Sequence, residues 1–299
     1  MSSKKLPLAI ALLWIFVSTL CIFGTAYKWL HEDQLKEAER KKDVRFYLAK
    51  IIQTGPQKEA LKTTYLAELL KLSIDHPIYW KLFDCKEAEK KLTACPLIKE
   101  AKIHLSDPTT VFVDYSIRQP YIELYNYENI ALDREGYPFP LRPFFSPKKL
   151  TQIYCAFSED FKIHWHTPIQ NREIQLAFHI LDLLSQDAYK DLFFVKRIDV
   201  SKAFAESYGA REIVLLIEEE VEQQKEGKKK RYLLPRLLRL STKNFTQELG
   251  NYLELRQKLN GQEELFTLKE QVIDFRLAQL AFIIHKQPEK SVSDGVVSH

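Results

Sequence analysis

Two histidines are placed where they could begin a metal site. His164 and His166 flank Trp165, and in a β-strand, whose side chains alternate between faces, both imidazoles would lie on the same face. Zinc sites in proteins use three or four protein ligands, and no third or fourth ligand lies nearby in sequence. We therefore interpret the two histidines as surface residues and predict that the protein binds no metal.

A second short stretch matches a catalytic spacing. Ser146 and Lys149 form S-x-x-K, the arrangement of nucleophile and lysine in cell-wall acylases, but neither S-D-N nor K-T-G accompanies it. Ser146 precedes Pro147, which favours a helix cap over a nucleophile. The sequence also lacks G-x-S-x-G, H-E-x-x-H, C-x-x-C and glycine-rich phosphate loops. We predict a non-enzymatic protein with no cofactor and no small-molecule substrate; a membrane-anchored envelope hydrolase is the alternative.

The charge pattern excludes one class of partner. The chain carries 44 Lys and Arg against 40 Asp and Glu, a net charge of +4 in 299 residues. Its most charged stretch, Glu218–Arg231, contains five acidic and five basic residues. A nucleic-acid binder would gather basic residues to neutralise phosphates. We therefore expect no nucleic-acid binding, and interpret 218–230 as a solvated loop at the tip of a hairpin.

One apolar segment near the N-terminus predicts a membrane anchor. Leu6–Tyr27 contains no charged residue, and as a helix it would cover roughly 33 Å, against about 30 Å of bilayer hydrocarbon. A cleaved signal peptide is the alternative, but its apolar region would span only about 7–15 residues. We predict a cytoplasmic tail at 1–5, a transmembrane helix at 6–27 and a charged stalk at 28–45. A long following domain translocates largely regardless of charge, so we expect the rest of the chain outside the cytoplasm.

Beyond the stalk, the sequence predicts an α+β protein with two folded parts. Residues 46–120 show a βααββ order: a strand at 46–53, a helix at 64–72, a helix capped by Asp84, and strands at 98–105 and 110–117. Residues 121–284 predict a mainly antiparallel β domain with flanking helices, one starting at Thr167 and one at Thr242. The last predicted strand is the apolar run Val272–Ile284, and 285–299 is expected to be a disordered tail. We predict no disulfide among the four cysteines.

Several short motifs, in order along the chain, resemble those of the FtsQ/DivIB family of bacterial cell-division proteins. They are Pro96 with Ile98 and Ala101, Asp107-Pro108, Arg118-Gln119-Pro120, Asp133 with Gly136 and Phe139, Ile198-Asp199, and Ile273-Asp274-Phe275-Arg276. The resemblance implies a single-pass protein of the cell inner membrane, located at the division site, with a POTRA module at 46–120 and a β domain at 121–284. It implies a scaffolding role that brings together coiled-coil membrane proteins like FtsB and FtsL, and other proteins of the division machinery.

The resemblance also implies a docking site near the C-terminus. In the family, a partner adds a strand to the exposed edge of a C-terminal strand, which in this chain corresponds to Ile273, Asp274, Phe275, Arg276, Leu277, Ala278, Gln279, Leu280, Ala281 and Phe282. The sequence departs from the family at Leu277, where an aromatic residue is frequent, and in the charged stretch 218–230. The alternative is a core strand paired on both sides. A POTRA protein of outer-membrane assembly would need a following barrel of about 10-residue alternating strands, for which the chain has no room.

Overall fold

The computed structural model describes residues 5–56, 58–225, 228–260, 271–277 and 280–285, organised as two compact units that meet in sequence at Ile117 and Arg118. The predicted disordered tail at 286–299 and most of the predicted cytoplasmic tail lie outside the described residues. The protein is an α+β protein with an N-terminal apolar helix, as the sequence predicts.

The first unit begins with one long helix, α1 (Lys5–Arg40), which continues from the apolar segment into the charged stalk. The large apolar side chains between Leu13 and Tyr27 are exposed, and no part of the described chain covers them. Within the described residues this is the one helix that is long and apolar enough to cross a membrane. These features support single-pass membrane anchoring.

The rest of the first unit has the predicted βααββ order, in which two helices precede the hairpin of a three-stranded sheet. The central strand β3 pairs in parallel with β1 and antiparallel with β2. Asp84 caps α3 by accepting the backbone N–H groups of Lys86 and Glu87, as predicted. The elements are β1 (Lys50–Thr54), α2 (Thr63–Leu70), α3 (Cys85–Thr93), β2 (Ile98–Asp107) and β3 (Thr110–Ile117).

The first strand begins later than the predicted residue 46. The Asp43 carboxylate accepts the backbone N–H of Arg45 and starts a single 3₁₀ turn, Val44–Phe46. An Asp side chain that bonds to the backbone two residues on competes with extended pairing, so the turn displaces the strand start to Lys50.

The second unit is a nine-stranded mixed sheet with most neighbours antiparallel, covered on one face by two helices. Its spatial order is β12-β11-β10-β9-β8-β7-β4-β5-β6. The helices are α4 (Arg172–Leu184) and α5 (Phe245–Asn260), whose apolar residues join one core with alternate residues of the strands. The strands are β4 (Ile122–Leu124), β5 (Ile130–Leu132), β6 (Pro138–Pro140), β7 (Thr151–Tyr154), β8 (Phe194–Asp199), β9 (Ile213–Lys225), β10 (Lys228–Leu240), β11 (Gln271–Asp274) and β12 (Phe282–His285).

Both predicted helix starts in this unit are wrong by a few residues. Helix α4 starts at Arg172 because Asn171 accepts the N–H of Ile174 at 2.8 Å and serves as its cap. Helix α5 starts at Phe245, and the hydroxyl of Ser241 accepts the N–H of Asn244 at 3.1 Å. At α4 the Asn171 side chain satisfies a free N–H group of the first turn, and at α5 the bond to Ser241 closes the turn that precedes the helix.

The predicted hairpin is present, but the prediction that 218–230 forms its loop is wrong. Strands β9 and β10 pair residue by residue from Ile213 opposite Leu240 out to Lys225 opposite Lys228. The balance of acids and bases that suggested a loop therefore belongs to two paired strands, and the tip at 226–227 lies outside the described residues.

Candidate docking edge of the sheet

The two ends of the nine-stranded sheet differ in their capacity to accept another strand. At one end, β6 has the sequence Pro-Phe-Pro, and Pro138 and Pro140 have no N–H to donate. At the other end, β12 has the sequence Phe-Ile-Ile-His and pairs only with β11 among the described residues. An edge strand without proline or inward-facing charge is a template for pairing with another chain. The β12 edge is therefore the candidate functional site.

The predicted strand at 272–284 is two strands joined by a reversal. The N–H and guanidinium of Arg276 both bond to the carboxylate of Asp274, at 2.8–3.2 Å. This local ring of hydrogen bonds ends β11 at Asp274, and the chain returns antiparallel as β12, with Val272 opposite Ile284. The first of the two strands, β11, lies between β10 and β12 and is paired on both sides.

The ten residues predicted to bind a partner accordingly fall into different environments. Ile273 and Phe275 are buried in the core, and Asp274 and Arg276 form the turn. Leu277 and Leu280 are each 57% exposed, and Phe282 is 49% exposed on the edge strand. Ala281 lines a groove beside α5, while Ala278 and Gln279 lie outside the described residues.

Sequence reasoning missed the outer half of the edge, Ile283, Ile284 and His285. Ile284 is 54% exposed, whereas Ile283 packs against the core. The sequence signal for this reversal is the spacing of Asp274 and Arg276, because an Asp side chain that accepts the backbone N–H two residues later is typical of a turn.

A cluster of charged side chains fixes the turn that leads into β12. Glu212 lies between Arg239, at 2.6 Å, and Arg276, at 3.4 Å. Arg239 also reaches Asp274, at 3.3 Å. Partial burial raises the pKa of Glu212 and of Asp274, but hydrogen bonds and charge from these arginines outweigh it, so both pKa values lie below the ordinary range. The two carboxylates are therefore ionised at neutral pH and hold both guanidinium groups in place.

A second, buried cluster holds α5 against the sheet beside the edge. Glu219 on β9 is fully buried; it accepts the hydroxyl of Tyr252 at 2.5 Å and lies 2.9 Å from Arg256, both on α5. Its other oxygen lies 2.8 Å from Nε of Arg236 on β10, and Nη1 of Arg236 donates to Gln271 of β11 at 3.0 Å. Burial raises the pKa of the Tyr252 phenol, so it remains a donor. The cluster joins β9, β10, β11 and α5 into one rigid support.

The other candidate sites do not assemble. The segment around His164 is a turn closed by a bond from the N–H of Thr167 to the carbonyl of His164, rather than the strand that would align two imidazoles. Over the described part of the chain no group of three or more His, Cys, Asp or Glu side chains could hold a metal ion. Ser146 and Lys149 are both exposed in an irregular segment, so Ser146 caps no helix there.

No protein-family model matches the chain, and no curated protein matches it. The proposals below therefore depend on the residues and on the geometry of the sheet edge.

Proposed function

We propose that this protein is a non-catalytic, single-pass membrane scaffold of the FtsQ/DivIB type that recruits a partner by strand addition to β12. The observation that carries the proposal is the contrast between the two ends of the sheet: β6 is closed by Pro138 and Pro140, whereas β12 has no neighbour beyond β11 among the described residues. A sheet that blocks one edge with proline and leaves the other available is suited to one-sided pairing.

The β12 edge offers both parts of a strand-addition site. Its backbone groups supply hydrogen bonds, which favour any extended chain, and the exposed side chains of Phe282 and Ile284 supply selectivity. The neighbouring exposed side chains of Leu277 and Leu280 extend the apolar surface beyond the strand itself. A four-residue strand makes few main-chain bonds, so we expect a modest affinity for an isolated segment.

Membrane anchoring compensates for a modest affinity. When α1 and the partner are both held in one bilayer, the second contact becomes effectively intramolecular, and its effective concentration reaches about the millimolar range for a short tether. In this proposal the N-terminus is cytoplasmic, residues 46–120 form a POTRA module, and the partners are FtsB- or FtsL-like coiled-coil proteins at the division site. The charged helical stalk, up to Arg40, carries the folded units away from the bilayer.

The proposal is tested with proline substitutions in the edge strand. Consecutive N–H groups of a strand point to opposite sides, so Ile283→Pro and Ile284→Pro remove one outward donor and one donor to β11. Tagged full-length protein is purified from solubilised membranes, and co-purified membrane proteins are quantified. We expect both variants to lose the coiled-coil partners, and Ile284→Val, which keeps the N–H and a β-branched side chain, to retain them.

Retention of the partners by both proline variants would contradict the docking edge. The division role is tested separately: a fluorescent fusion should gather at the division site, and depletion should lengthen cells. A fusion spread evenly over the membrane, with cells of normal length after depletion, would contradict the FtsQ/DivIB assignment even if the edge binds a partner.

A further inference from the structure

The face of the sheet that α4 and α5 leave uncovered carries an apolar row that runs to the open edge. Directly paired residues of neighbouring strands point to the same face, and the registers pair Leu216 with Leu237, Leu237 with Val272, and Val272 with Ile284. The first three side chains are partly exposed, and Ile284 at the end of the row is 54% exposed. The row ends at Ile284 because β12 is the outermost strand of the described sheet.

The opposite side of the edge has a different chemistry. There a groove of about 450 Å³ lies between α5 and the residues Phe275, Leu280 and Ala281. Its floor includes the apolar side chains of Leu255, Phe275 and Leu280. It is also lined by exposed polar residues at helical spacing, on α5 and the residue before it: Asn244, Gln247, Asn251, Glu254 and Lys258.

The side chains of β12 alternate between the two faces of the sheet, and this determines which residues of an added strand face each side. Phe282 and Ile284 point to the uncovered face, while Ile283, opposite the buried Ile273, points to the α5 side. A strand added to β12 must alternate in the same way, because its side chains continue the pleat. Residues set opposite Phe282 and Ile284 extend the apolar row, and the residue between them faces the side of the sheet on which α5 and the groove lie.

We propose that the strand recruited by β12 is amphipathic in a defined sense. On the uncovered face it carries apolar, β-branched side chains that prolong the row Leu216–Leu237–Val272–Ile284. On the α5 side it carries long side chains with an apolar stem and a hydrogen-bonding head, such as Gln, because the stem fits the apolar floor and the head reaches the polar residues that line the groove. This inference depends on the proposed docking edge and specifies the chemistry of its partner.

Three synthetic nine-residue peptides with lysines at both ends test the inference on the full-length protein in nanodiscs. One alternates Val and Gln, one alternates Thr and Gln, and one alternates Val and Ala; binding is measured by fluorescence anisotropy. We expect the Val/Gln peptide to bind about tenfold more tightly than the Thr/Gln peptide, since two positions on the uncovered face each lose about one methyl of burial. The Val/Ala peptide should also bind more weakly, because it lacks stems and heads for the groove.

Matched variants of the protein assign each preference to a face. Ile284→Thr should reduce the preference for Val over Thr and leave the preference for Gln over Ala. Replacement of Gln247 and Asn251 together by Ala should reduce the preference for Gln over Ala and leave the preference for Val over Thr.

The outcomes separate this inference from the docking edge. Equal binding of the three peptides to the wild-type protein, or variants that change the wrong preference, would overturn the proposed partner chemistry and leave the edge supported. Failure of all three peptides to bind at millimolar concentration would count against the docking edge and this inference together.

Discussion

Removal of the Glu219 carboxylate should destabilise the second unit strongly. Glu219 is fully buried, and the Arg236 side chain that it faces is only 4% exposed. In Glu219→Ala, Arg236 would keep its charge in the core without an anion beside it, and Tyr252 would lose its acceptor. Arg256, whose side chain is 18% exposed, can turn towards water more easily.

The magnitude follows from the asymmetry of buried ion pairs. Removing one partner of such a pair costs about 3–5 kcal/mol, whereas replacing both partners by apolar residues is close to neutral. A unit of this size loses roughly 2 kcal/mol of stability per molar urea, so the midpoint for Glu219→Ala should fall by about 2 M. The double variant Glu219→Leu with Arg236→Leu should recover the part of that loss that comes from the unpaired charge of Arg236.

Urea unfolding of the full-length protein in mild detergent provides the assay. Trp165 is the only tryptophan of the second unit, so substituting Trp14, Trp29 and Trp80 by Phe makes fluorescence report on that unit alone. A shift below about 0.5 M for Glu219→Ala, or a double variant less stable than the single one, would refute the reasoning that the cluster is a dry ion pair.

Three smaller predictions test other parts of the account. Glu212 and Asp274 have lowered pKa values, so their contribution to stability is present above the ordinary carboxyl pKa and is lost as the pH falls through the lowered values. Urea midpoints measured from about pH 6 to pH 3 should show this loss. The Asp274→Asn variant should show a smaller change of the midpoint with pH. Gly136 has a φ of +88°, and an added Cβ would lie 3.0 Å from the carbonyl oxygen of Ile169. The Gly136→Ala variant should therefore lose about 1–3 kcal/mol of stability and unfold at a lower Tm. An unchanged Tm would contradict this prediction. Glu37→Ala should speed hydrogen exchange at the end of α1, because the Glu37 carboxylate holds that turn to the hydroxyl of Tyr79 at 2.8 Å. Exchange as slow as in the wild type would show that other contacts suffice.

Much of the fold could be predicted because local signals were strong. The βααββ order follows from the Asp84 cap, the helical spacing of leucines and the turn at Asp107-Pro108. The helical continuation of the apolar segment into the stalk required only the absence of a breaker between them. Such elements are specified by neighbours in sequence, which a single sequence displays.

The sequence predicts the region that contains the edge strand, but not which of its residues lie at the edge. Whether a strand is central or outermost depends on the order of strands in the sheet, and residues 272–284 have the same apolar pattern in both cases. The return of the chain after Asp274 depends on side-chain hydrogen bonds from Arg276, and it moves the edge from Ile273 to Ile284. The β9–β10 hairpin was predicted with too long a loop because charge was taken as a sign of a loop, although antiparallel strands can carry charged residues.

Amide hydrogen exchange of β12, measured on the full-length protein alone and in the complex purified from membranes, tests the docking edge most directly. The account predicts that exchange at Phe282–His285 slows when the partner is bound, because the outward N–H groups become hydrogen-bonded, while β6 at the far end of the sheet does not change. A complex that forms with the exchange of β12 unaltered would show that the partner binds elsewhere.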